Sequence, residues 1–375
     1  MTGRERLLAV LHGELPDRVP CTPDISNMIP CRLTGRPFWD IYLYQDPPLW
    51  KAYIDAVKAL GIDGFLEGLN VDPDPPRGPA WREMIVQQTE DRIVTQRCRE
   101  AEAGRLVWEN RARVYDRDQP ATAKPPALLN LPEVPTEWEP VEGVREWPTG
   151  QELLRLVKAE MGDHGLVATR CGLTLLVNSP EAIYQWHDDP DSIRRLRDER
   201  LGYYEALFER IMATEVKPDF ICLGASGTLV WQTVDMFREL GLPILKRMSA
   251  LCREAGIPSH VHACGPESAL VRIAAEETDL TSIDPLEPPP MGDCDLAEIK
   301  RKYGDRLVLK GNLHTTEIML RGSPDDVRGA ARQAIEDAGG GGGFILSTGD
   351  QCGRDTPLEN FAAMREACEL WGRYA

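Results

Sequence analysis

The sequence predicts an α/β fold, a closed (β/α)8 TIM barrel, from two observations. Eight short apolar runs, each ending in polar or glycine residues, alternate with longer amphipathic stretches of helical periodicity. This alternation indicates a parallel sheet, and eight repeats in one chain favour a closed barrel over an open, doubly wound sheet. A length of 375 residues allows one large domain or two ordinary ones, and we expect a single barrel domain over residues 1–375.

The predicted strands follow one another at the spacing that intervening helices require. In chain order they lie around Val19–Asp24, Gly64–Glu67, Leu166–Arg170, Phe220–Gly224, Ser259–Cys264, Ser282–Leu286, Leu307–Gly311 and Gly343–Ser347. Helical patterns between them include residues 190–216, 234–256 and 323–340. The glycine run Gly339–Gly343 closes a predicted helix and precedes a strand, so we interpret it as a helix end and tight turn rather than a phosphate-binding loop.

The longest gap between predicted strands covers residues 70–149, far more than one helix needs. It starts with the proline-rich stretch "DPDPPRGPAW" and continues with a predicted hairpin, "DRIVTQRCREAEAGRLVWEN", that turns at Ala103-Gly104. We predict an insertion after the second strand, at the C-terminal rim of the barrel, where it covers an active site or meets a partner. A solvated decoration without such a role is an equal alternative.

Composition restricts the partners and the compartment. The net charge of −17 disfavours binding to nucleic acid or to an anionic membrane surface. No apolar run approaches the length of a membrane span, and the charged start "MTGRERLLAVLHGELPDRVP" resembles an amphipathic helix rather than a signal peptide. We therefore expect a cytoplasmic protein whose ten cysteines are mostly free thiols.

The segment "SHVHACG" suggests a metal site. On a strand, His260, His262 and Cys264 share one face, which places His262 and Cys264 near the barrel mouth and His260 one layer deeper. Glu287 follows the sixth predicted strand and Cys352 the eighth, so both belong to the same rim. One imidazole, two thiolates and a carboxylate form a tetrahedral zinc set.

A core role is the alternative for each of these side chains, because free cysteine is among the most buried residue types. Spacing alone leaves metal ligation and core packing equally open for His262, Cys264 and Cys352, and favours a solvated carboxylate for Glu287 and a barrel-layer histidine for His260. The remaining cysteines are expected in the core: Cys21, Cys31, Cys98, Cys171, Cys222, Cys252, Cys294 and Cys368.

Polar residues at other strand ends are candidate substrate contacts, chosen by position alone. They are Asp24 and Asn27 after the first strand, Glu67 after the second, Arg170 after the third and Asn312 after the seventh. Simple solvation of the rim is the alternative for each of them.

Over nearly its whole length the chain resembles the uroporphyrinogen decarboxylase superfamily, and within it the zinc-dependent, corrinoid-linked methyltransferases. The stretches that carry the resemblance are "RERLLAVLHGELPDRVP", "GNLHTTEIMLRGSPDDV" and "GGFILSTGDQCGRDTPLENFAAMREA". Those methyltransferases have a His-x-Cys…Cys zinc motif, matched here by His262, Cys264 and Cys352, and Glu287 matches a glutamate that can serve as a displaceable ligand. The arginine-rich N-terminal motif of the decarboxylases is replaced here by "CTPDISNMIPCRLTG".

The resemblance implies a zinc enzyme that moves a methyl group between a corrinoid carried by a partner protein and a thiol or a methylated small molecule. The chain has no Asp-x-His-x-x-Gly corrinoid-binding stretch, so the methyl-corrinoid is expected on a separate protein. Glu287 and Asn312 are then the candidate catalytic residues, and Asp24, Asn27, Glu67, Arg170 and His260 the candidate substrate-binding residues. The segment "EPPPMGDCDL" departs from the coenzyme M enzymes, which leaves the methyl acceptor open.

Two other functions remain open. A decarboxylase of a porphyrinogen-like or other carboxylate would need cationic groups at the mouth and no metal. A non-catalytic barrel subunit would bind a corrinoid protein or zinc without transferring a methyl group. The sequence also leaves the oligomeric state open, with a homodimer as one candidate.

Overall fold

The computed structural model describes residues 1–73, 80–101, 104–224 and 226–374. The chain divides into two compact units. The first comprises Met1–Ser26, Val57–Pro73 and Thr149–Ala375, and the second comprises Asn27–Ala56 and Asp74–Pro148. The expectations of one domain over residues 1–375 and of a rim position for residues 70–149 stay predictions.

The secondary structure follows the predicted alternation. The strands are β1 (Gly64–Leu69), β2 (Arg82–Gln88), β3 (Arg92–Glu100), β4 (Leu106–Asp116), β5 (Thr122–Lys124), β6 (Glu139–Pro140), β7 (Gly165–Arg170), β8 (Phe220–Leu223), β9 (Ser259–His262), β10 (Ser282–Asp284), β11 (Val308–Leu313) and β12 (Phe344–Thr348). The α-helices are α1 (Gly3–Leu11), α2 (Met28–Leu33), α3 (Phe38–Tyr42), α4 (Leu49–Leu60), α5 (Gly150–Met161), α6 (Pro180–Asp188), α7 (Pro190–Ala213), α8 (Thr228–Trp231), α9 (Val234–Glu254), α10 (Ser268–Glu277), α11 (Leu296–Tyr303), α12 (Pro324–Ala338) and α13 (Leu358–Trp371). Short 3-10 turns span Pro126–Leu129 and Gly162–His164, and a π-helical turn spans Thr315–Leu320.

The first unit contains a seven-stranded parallel sheet in the order β1-β7-β8-β9-β10-β11-β12. These strands correspond to the second to eighth predicted strands, and intervening helices such as α7, α9 and α12 occupy the predicted helical segments. The prediction of an α/β fold of the TIM-barrel type is confirmed. The glycine run ends α12 and turns into β12, with positive φ at Gly341, Gly342 and Gly343, as predicted.

The first predicted strand, Val19–Asp24, is an extended segment with an isolated parallel bridge from Cys21 to Leu346 rather than a regular strand. The N–H of Thr22 donates to the Leu346 carbonyl at 2.8 Å, and the N–H of Asp63 donates to the Cys21 carbonyl at 2.9 Å. Proline has no N–H to donate to a ladder, so the prolines at positions 20 and 23 limit regular pairing. The strand prediction was wrong in extent, not in position.

Helix α1 defines the N-terminal end of the parallel sheet. Its N-cap Thr2 accepts from the N–H of Glu5, whose side chain accepts in return from the N–H of Thr2. Arg4 of this helix pairs with Asp219, which directly precedes β8, at 2.6 Å. Apolar residues of α1 join a buried cluster with residues of the strands: Leu7, Val10, Leu11, Phe65, Leu166, Ala168, Phe220, Cys222, Val308 and Ile345. The opposite, C-terminal strand ends are therefore open to carry polar groups.

The second unit contains an antiparallel sheet in the order β5-β4-β3-β2-β6. Strands β3 and β4 form the predicted hairpin, while Ala103 of its predicted turn and residues 74–79 of the proline-rich stretch lie outside the described residues. Val94, Ala112 and Val114 form a buried cluster on this sheet. Across the described residues of both units, no helix is long and apolar enough to cross a membrane. All eight cysteines predicted in the core are buried.

Candidate metal centre

Three potential metal ligands converge at the C-terminal ends of the parallel strands. His262 is the last residue of β9, Cys264 follows two residues later, and Asp350 lies two residues beyond β12. One ligand atom from each of the three lies within 4.8 Å of the others, and Nε2 of His262 is 3.7 Å from Oδ1 of Asp350. We call His262, Cys264 and Asp350 the first donor group.

Asp284 orients the imidazole of His262. The two residues are register partners on the parallel pair β9 and β10, and Nδ1 of His262 lies 2.9 Å from Oδ1 of Asp284. Burial alone would lower the pKa of His262, but the adjacent Asp284 carboxylate raises it well above its ordinary value. A carboxylate on Nδ1 fixes the tautomer and leaves Nε2 to face the other donors, which is the usual arrangement around a metal-binding histidine.

A second donor group shares His262 with the first and consists of Glu67, His262 and Asp284, whose ligand atoms also lie within 4.8 Å of one another. Lys310 of β11 contacts this group through an ion pair with Oδ2 of Asp284 and a 3.2 Å pair with Oε1 of Glu67. Burial opposes ionisation of both carboxyl groups, but the Lys310 ammonium lowers the pKa of Asp284 well below its ordinary value and that of Glu67 to about 2. The two carboxylates and the ammonium are therefore all charged.

His260 is fully buried beneath the second donor group. Its Nδ1 is 2.8 Å from Oγ of Ser282, while Nε2 lies 3.3 Å from Oδ1 of Asp284 and 3.5 Å from Oε1 of Glu67 without a hydrogen bond of good geometry. The rings of Phe65 and Phe220 pack edge-on against the imidazole. This is the deeper layer expected from the alternating sequence pattern.

Two glutamates link the loops that follow β9 and β10. The N–H of Gly265 donates to the carboxylate of Glu287, and the N–H of Leu286 donates to Oε2 of Glu267 at 3.1 Å. Both carboxyl groups are buried, and burial raises the pKa of each, most strongly for Glu267. Oε1 of Glu267 is buried without a hydrogen-bond partner. Asn312 adds a third link, since its Nδ2 donates to the Leu286 carbonyl at 3.0 Å.

Cys352 is buried two residues beyond Asp350. Its N–H donates to the Asp24 carbonyl at 2.9 Å, and burial raises the pKa of its thiol. Among the described residues neither Cys352 nor Glu287 belongs to either donor group, whereas Asp350, which the sequence did not indicate, belongs to the first. The ligand roles of Cys352 and Glu287 stay predictions.

The predicted substrate contacts occupy different environments. Asp24 accepts from the N–H of Ser26 at 2.8 Å, and burial raises the pKa of its carboxyl group. Arg170 is exposed at the end of β7. Asn27 belongs to the second unit, where it precedes α2. These substrate roles, and those of Glu67 and His260, stay predictions.

Sequence reasoning missed Asp284, Lys310, Asp350 and Glu267. Two of them were signalled, because a lysine inside "LVLKG" and an aspartate inside "SIDPL" interrupt apolar strands. Charged side chains are almost never fully buried unless they are paired, so two such positions on neighbouring strands suggest a buried ion pair. Asp350 and Glu267 lie in loops, where no periodic pattern in the sequence indicates which way a side chain points.

A parallel α/β barrel-type unit with imidazole, thiol and carboxylate donors at its C-terminal strand ends defines the class: a TIM-barrel-type protein with a candidate metal centre. Residues 218–371 match the uroporphyrinogen decarboxylase (URO-D) family. This match covers the C-terminal part of the chain, which is therefore similar to that family. The resemblance identified from the sequence is thereby confirmed at the level of the superfamily.

Curated relatives match over limited lengths. Uroporphyrinogen decarboxylase from Coxiella burnetii (strain Dugway 5J108-111) is 33% identical over 75 residues, which is 20% of this chain and 20% of that protein. The enzyme of the same name from Methylococcus capsulatus is 24% identical over 233 residues, covering 57% of this chain and 62% of that protein. The match thus spans about a fifth of the first relative's length. A solved structure described as a methyltransferase from Methanosarcina mazei shares the fold, with a TM-score of 0.63 at 17% identity over 98% of each chain.

Proposed function

We propose that this protein is a zinc-dependent methyltransferase that moves a methyl group between a corrinoid protein and a thiol or an O-, N- or S-methylated small molecule. The observation that carries the proposal is the first donor group, in which His262, Cys264 and Asp350 converge within 4.8 Å at the C-terminal strand ends. The fold shared with the Methanosarcina mazei methyltransferase supports it. The proposal includes a cytoplasmic location, supported by free thiols throughout.

The donor chemistry fits zinc. Imidazole, thiolate and carboxylate are its usual protein ligands, and three protein ligands with an open position are typical of catalytic rather than structural zinc. Asp284 on Nδ1 of His262 supplies the outer hydrogen bond that such sites use. Glu287, in the loop after β10, is proposed as the fourth ligand, which yields to substrate. Cys352, in the loop after β12, is proposed as the ligand that this loop supplies in place of Asp350.

Bound zinc would lower the pKa of a thiol substrate so that it reacts as the thiolate. A methyl-corrinoid on the partner protein would supply the methyl group, whose bond to cobalt would break as its bond to the thiol sulfur forms. The electron pair of the broken bond would remain with the corrinoid, and the thiol would release its proton. This chain's residues hold the reactants: Asp284 fixes His262, and Asn312, bonded to the Leu286 carbonyl, fixes the loop that carries Glu287. Asp24, Asn27, Glu67, Arg170 and His260 are proposed to bind or surround the substrate.

The decarboxylase alternative is favoured by the names of the curated relatives. A carboxylate-rich substrate would require free cations at the strand ends. Arg170 is exposed at the end of β7, but Lys310 is already paired with Asp284 and Glu67. The carboxyl groups of Asp24, Glu287 and Asp350 lie near His262 at the same strand ends. This charge balance favours methyl transfer over decarboxylation of a polyanionic substrate.

A coupled assay tests the proposal. Zinc-loaded protein is mixed with methylcobalamin and a panel of small thiols, and formation of Co(I) is followed by its absorption under anaerobic conditions. Methyl transfer that depends on the protein and is lost in Cys264→Ala supports the proposal, while Cys252→Ala, a buried core cysteine, serves as the matched control. Absence of transfer together with CO2 release from a porphyrinogen would establish the decarboxylase alternative instead.

A further inference from the structure

A buried ammonium occupies the centre of the second donor group. Nζ of Lys310 contacts Asp284 and lies 3.2 Å from Oε1 of Glu67, and all but 4% of the Lys310 side chain is shielded from solvent. The same Nζ lies 5.1 Å from the ring centroid of Phe65, which closes the site with an aromatic face. The lysine is therefore held on several sides and is not a mobile surface charge.

The side chains around this ammonium form a set that could hold a metal ion. Glu67, His262 and Asp284 bring ligand atoms within 4.8 Å of one another. Nε2 of His260 is fully buried, has no hydrogen bond of good geometry, and lies 3.3 Å from Asp284 and 3.5 Å from Glu67. A buried carboxylate, Asp284, beside the partly buried carboxylate of Glu67 requires a compensating cation, because uncompensated charge inside a protein is strongly destabilising. Here the chain supplies that cation itself.

His262 belongs to both donor groups, so the two groups compete for it. A metal ion bound by Glu67 and Asp284 would draw on the same Asp284 carboxylate that now holds Nδ1 of His262. The ammonium binds the other oxygen, Oδ2, and leaves Oδ1 for the imidazole. Because Lys310 contacts Oδ2 of Asp284 and His262 contacts Oδ1, the imidazole keeps its Nδ1 on Asp284 and directs Nε2 toward the first donor group.

We propose that the Lys310 ammonium is the resident cation of the second donor group, where it excludes metal ions and leaves Asp284 to orient His262 toward Cys264 and Asp350. Lys310 is in this sense a positioning residue for the first donor group. The part of the inference that concerns zinc at the first donor group rests on the proposed function. The part that concerns exclusion of metal from the second donor group does not.

The test combines Lys310→Met with Cys264→Ala, because the first opens the second donor group and the second disables the first. Zinc and cobalt stoichiometry are measured by equilibrium dialysis, and thiolate coordination by the sulfur-to-cobalt absorption band. Lys158→Met is the matched control, since Lys158 also pairs with a buried carboxylate, 2.7 Å from Asp219 at the other end of the sheet. Thermal unfolding of each variant establishes that it is folded.

The expected results are specific. Cys264→Ala with Lys310 intact binds no metal at the second donor group, whereas Cys264→Ala/Lys310→Met binds one ion without a thiolate band, and adding Glu67→Gln abolishes it. Lys310→Met alone weakens thiolate-coordinated binding about 10–100-fold, the usual effect of losing a group that orients a metal ligand. Lys158→Met leaves both quantities unchanged. A Lys310→Met protein with unchanged metal affinity, and a double variant that binds no ion, would overturn the inference.

The outcomes separate this inference from the proposed function. A wild-type protein without zinc affinity contradicts the proposed function, while a gain of Glu67-dependent metal binding in Lys310→Met still supports the role of the ammonium. Should Lys310→Met fail to fold, Cys264→Ala decides alone. Metal that it binds and that Glu67→Gln removes would overturn the inference. Metal that Glu67→Gln does not remove lies outside the second donor group, so this result supports the inference. A Cys264→Ala protein that binds no metal supports the inference as well.

Discussion

His262 and Asp284 face each other at the ends of β9 and β10, with Nδ1 of the imidazole 2.9 Å from Oδ1 of the carboxylate. The backbone register dictates this pairing, because the two residues are direct partners in the parallel ladder. The same register places His260 beside Ser282 one layer deeper, where Nδ1 and Oγ are 2.8 Å apart. Each histidine of the "HVH" segment is thus oriented by the neighbouring strand.

Asp284→Asn is expected to weaken zinc binding about 10–100-fold, because the amide cannot provide the carboxylate charge that fixes the His262 tautomer. Competition with a chromogenic chelator measures the change. Ser282→Ala is the matched control, since it removes the partner of His260 but not that of His262. Equal losses in the two variants would show that the effect is general destabilisation of β10.

Asp350→Asn is expected to lower zinc affinity more than Cys352→Ser, because Asp350 lies in the first donor group and Cys352 does not. Metal content after dialysis against graded chelator concentrations compares the two. Cys368→Ser, a buried cysteine of α13, controls for loss of a core thiol. The reverse order would assign the ligand to Cys352, as its sequence position predicts, and would require the loop after β12 to change conformation on metal binding.

Glu287 is expected to leave zinc when substrate binds, since a catalytic site needs an exchangeable position. X-ray absorption at the zinc edge should show a light-atom ligand replaced by sulfur when a thiol that turns over is added. In Glu287→Gln the carboxylate is lost while an amide oxygen can still accept from the N–H of Gly265. A wild-type spectrum that does not change during turnover contradicts the exchange.

Glu267 is expected to make the metal-free protein less stable as the pH rises. Burial raises its pKa well above the ordinary 4.5 in the folded state, so the folded protein retains a proton that the unfolded chain releases. The contribution of Glu267 to the free energy of unfolding is therefore complete below about pH 4.5 and is lost as the pH rises through the folded-state pKa. Glu267→Gln, which retains an acceptor for the N–H of Leu286, should become progressively more stable than wild type over that range. Parallel pH profiles of the unfolding free energy would refute this.

The sequence identified most of the fold because a parallel sheet buries both faces of its strands. Strands such as β12, in which every residue is buried, therefore read as short apolar runs. The first strand was predicted to be longer than the structure shows. Apolar character does not reveal whether a residue has a backbone N–H to pair, and the prolines at positions 20 and 23 have none. The hairpin of β3 and β4 was found because its sequence alternates with period two.

The site was only partly predictable. Alternation placed His262 and Cys264 together, since residues two apart on a strand share a face. The path of the loop after β12 was not readable, because Asp350 takes a positive φ of 103°, which turns the chain between the strand and Cys352. The Lys310–Asp284 pair depends on the register between β10 and β11, which one strand alone does not specify.

The central claim is that His262 and Cys264 bind a catalytic zinc ion. Zinc content of the protein purified without chelator, measured beside Cys264→Ser, tests it most directly. The account predicts about one zinc per wild-type chain and a loss of that zinc in the variant, with Cys252→Ser unchanged. A wild-type protein that is metal-free and takes up no added zinc would contradict the claim. His262 and Cys264 would then be interpreted as packing residues without a metal-binding role.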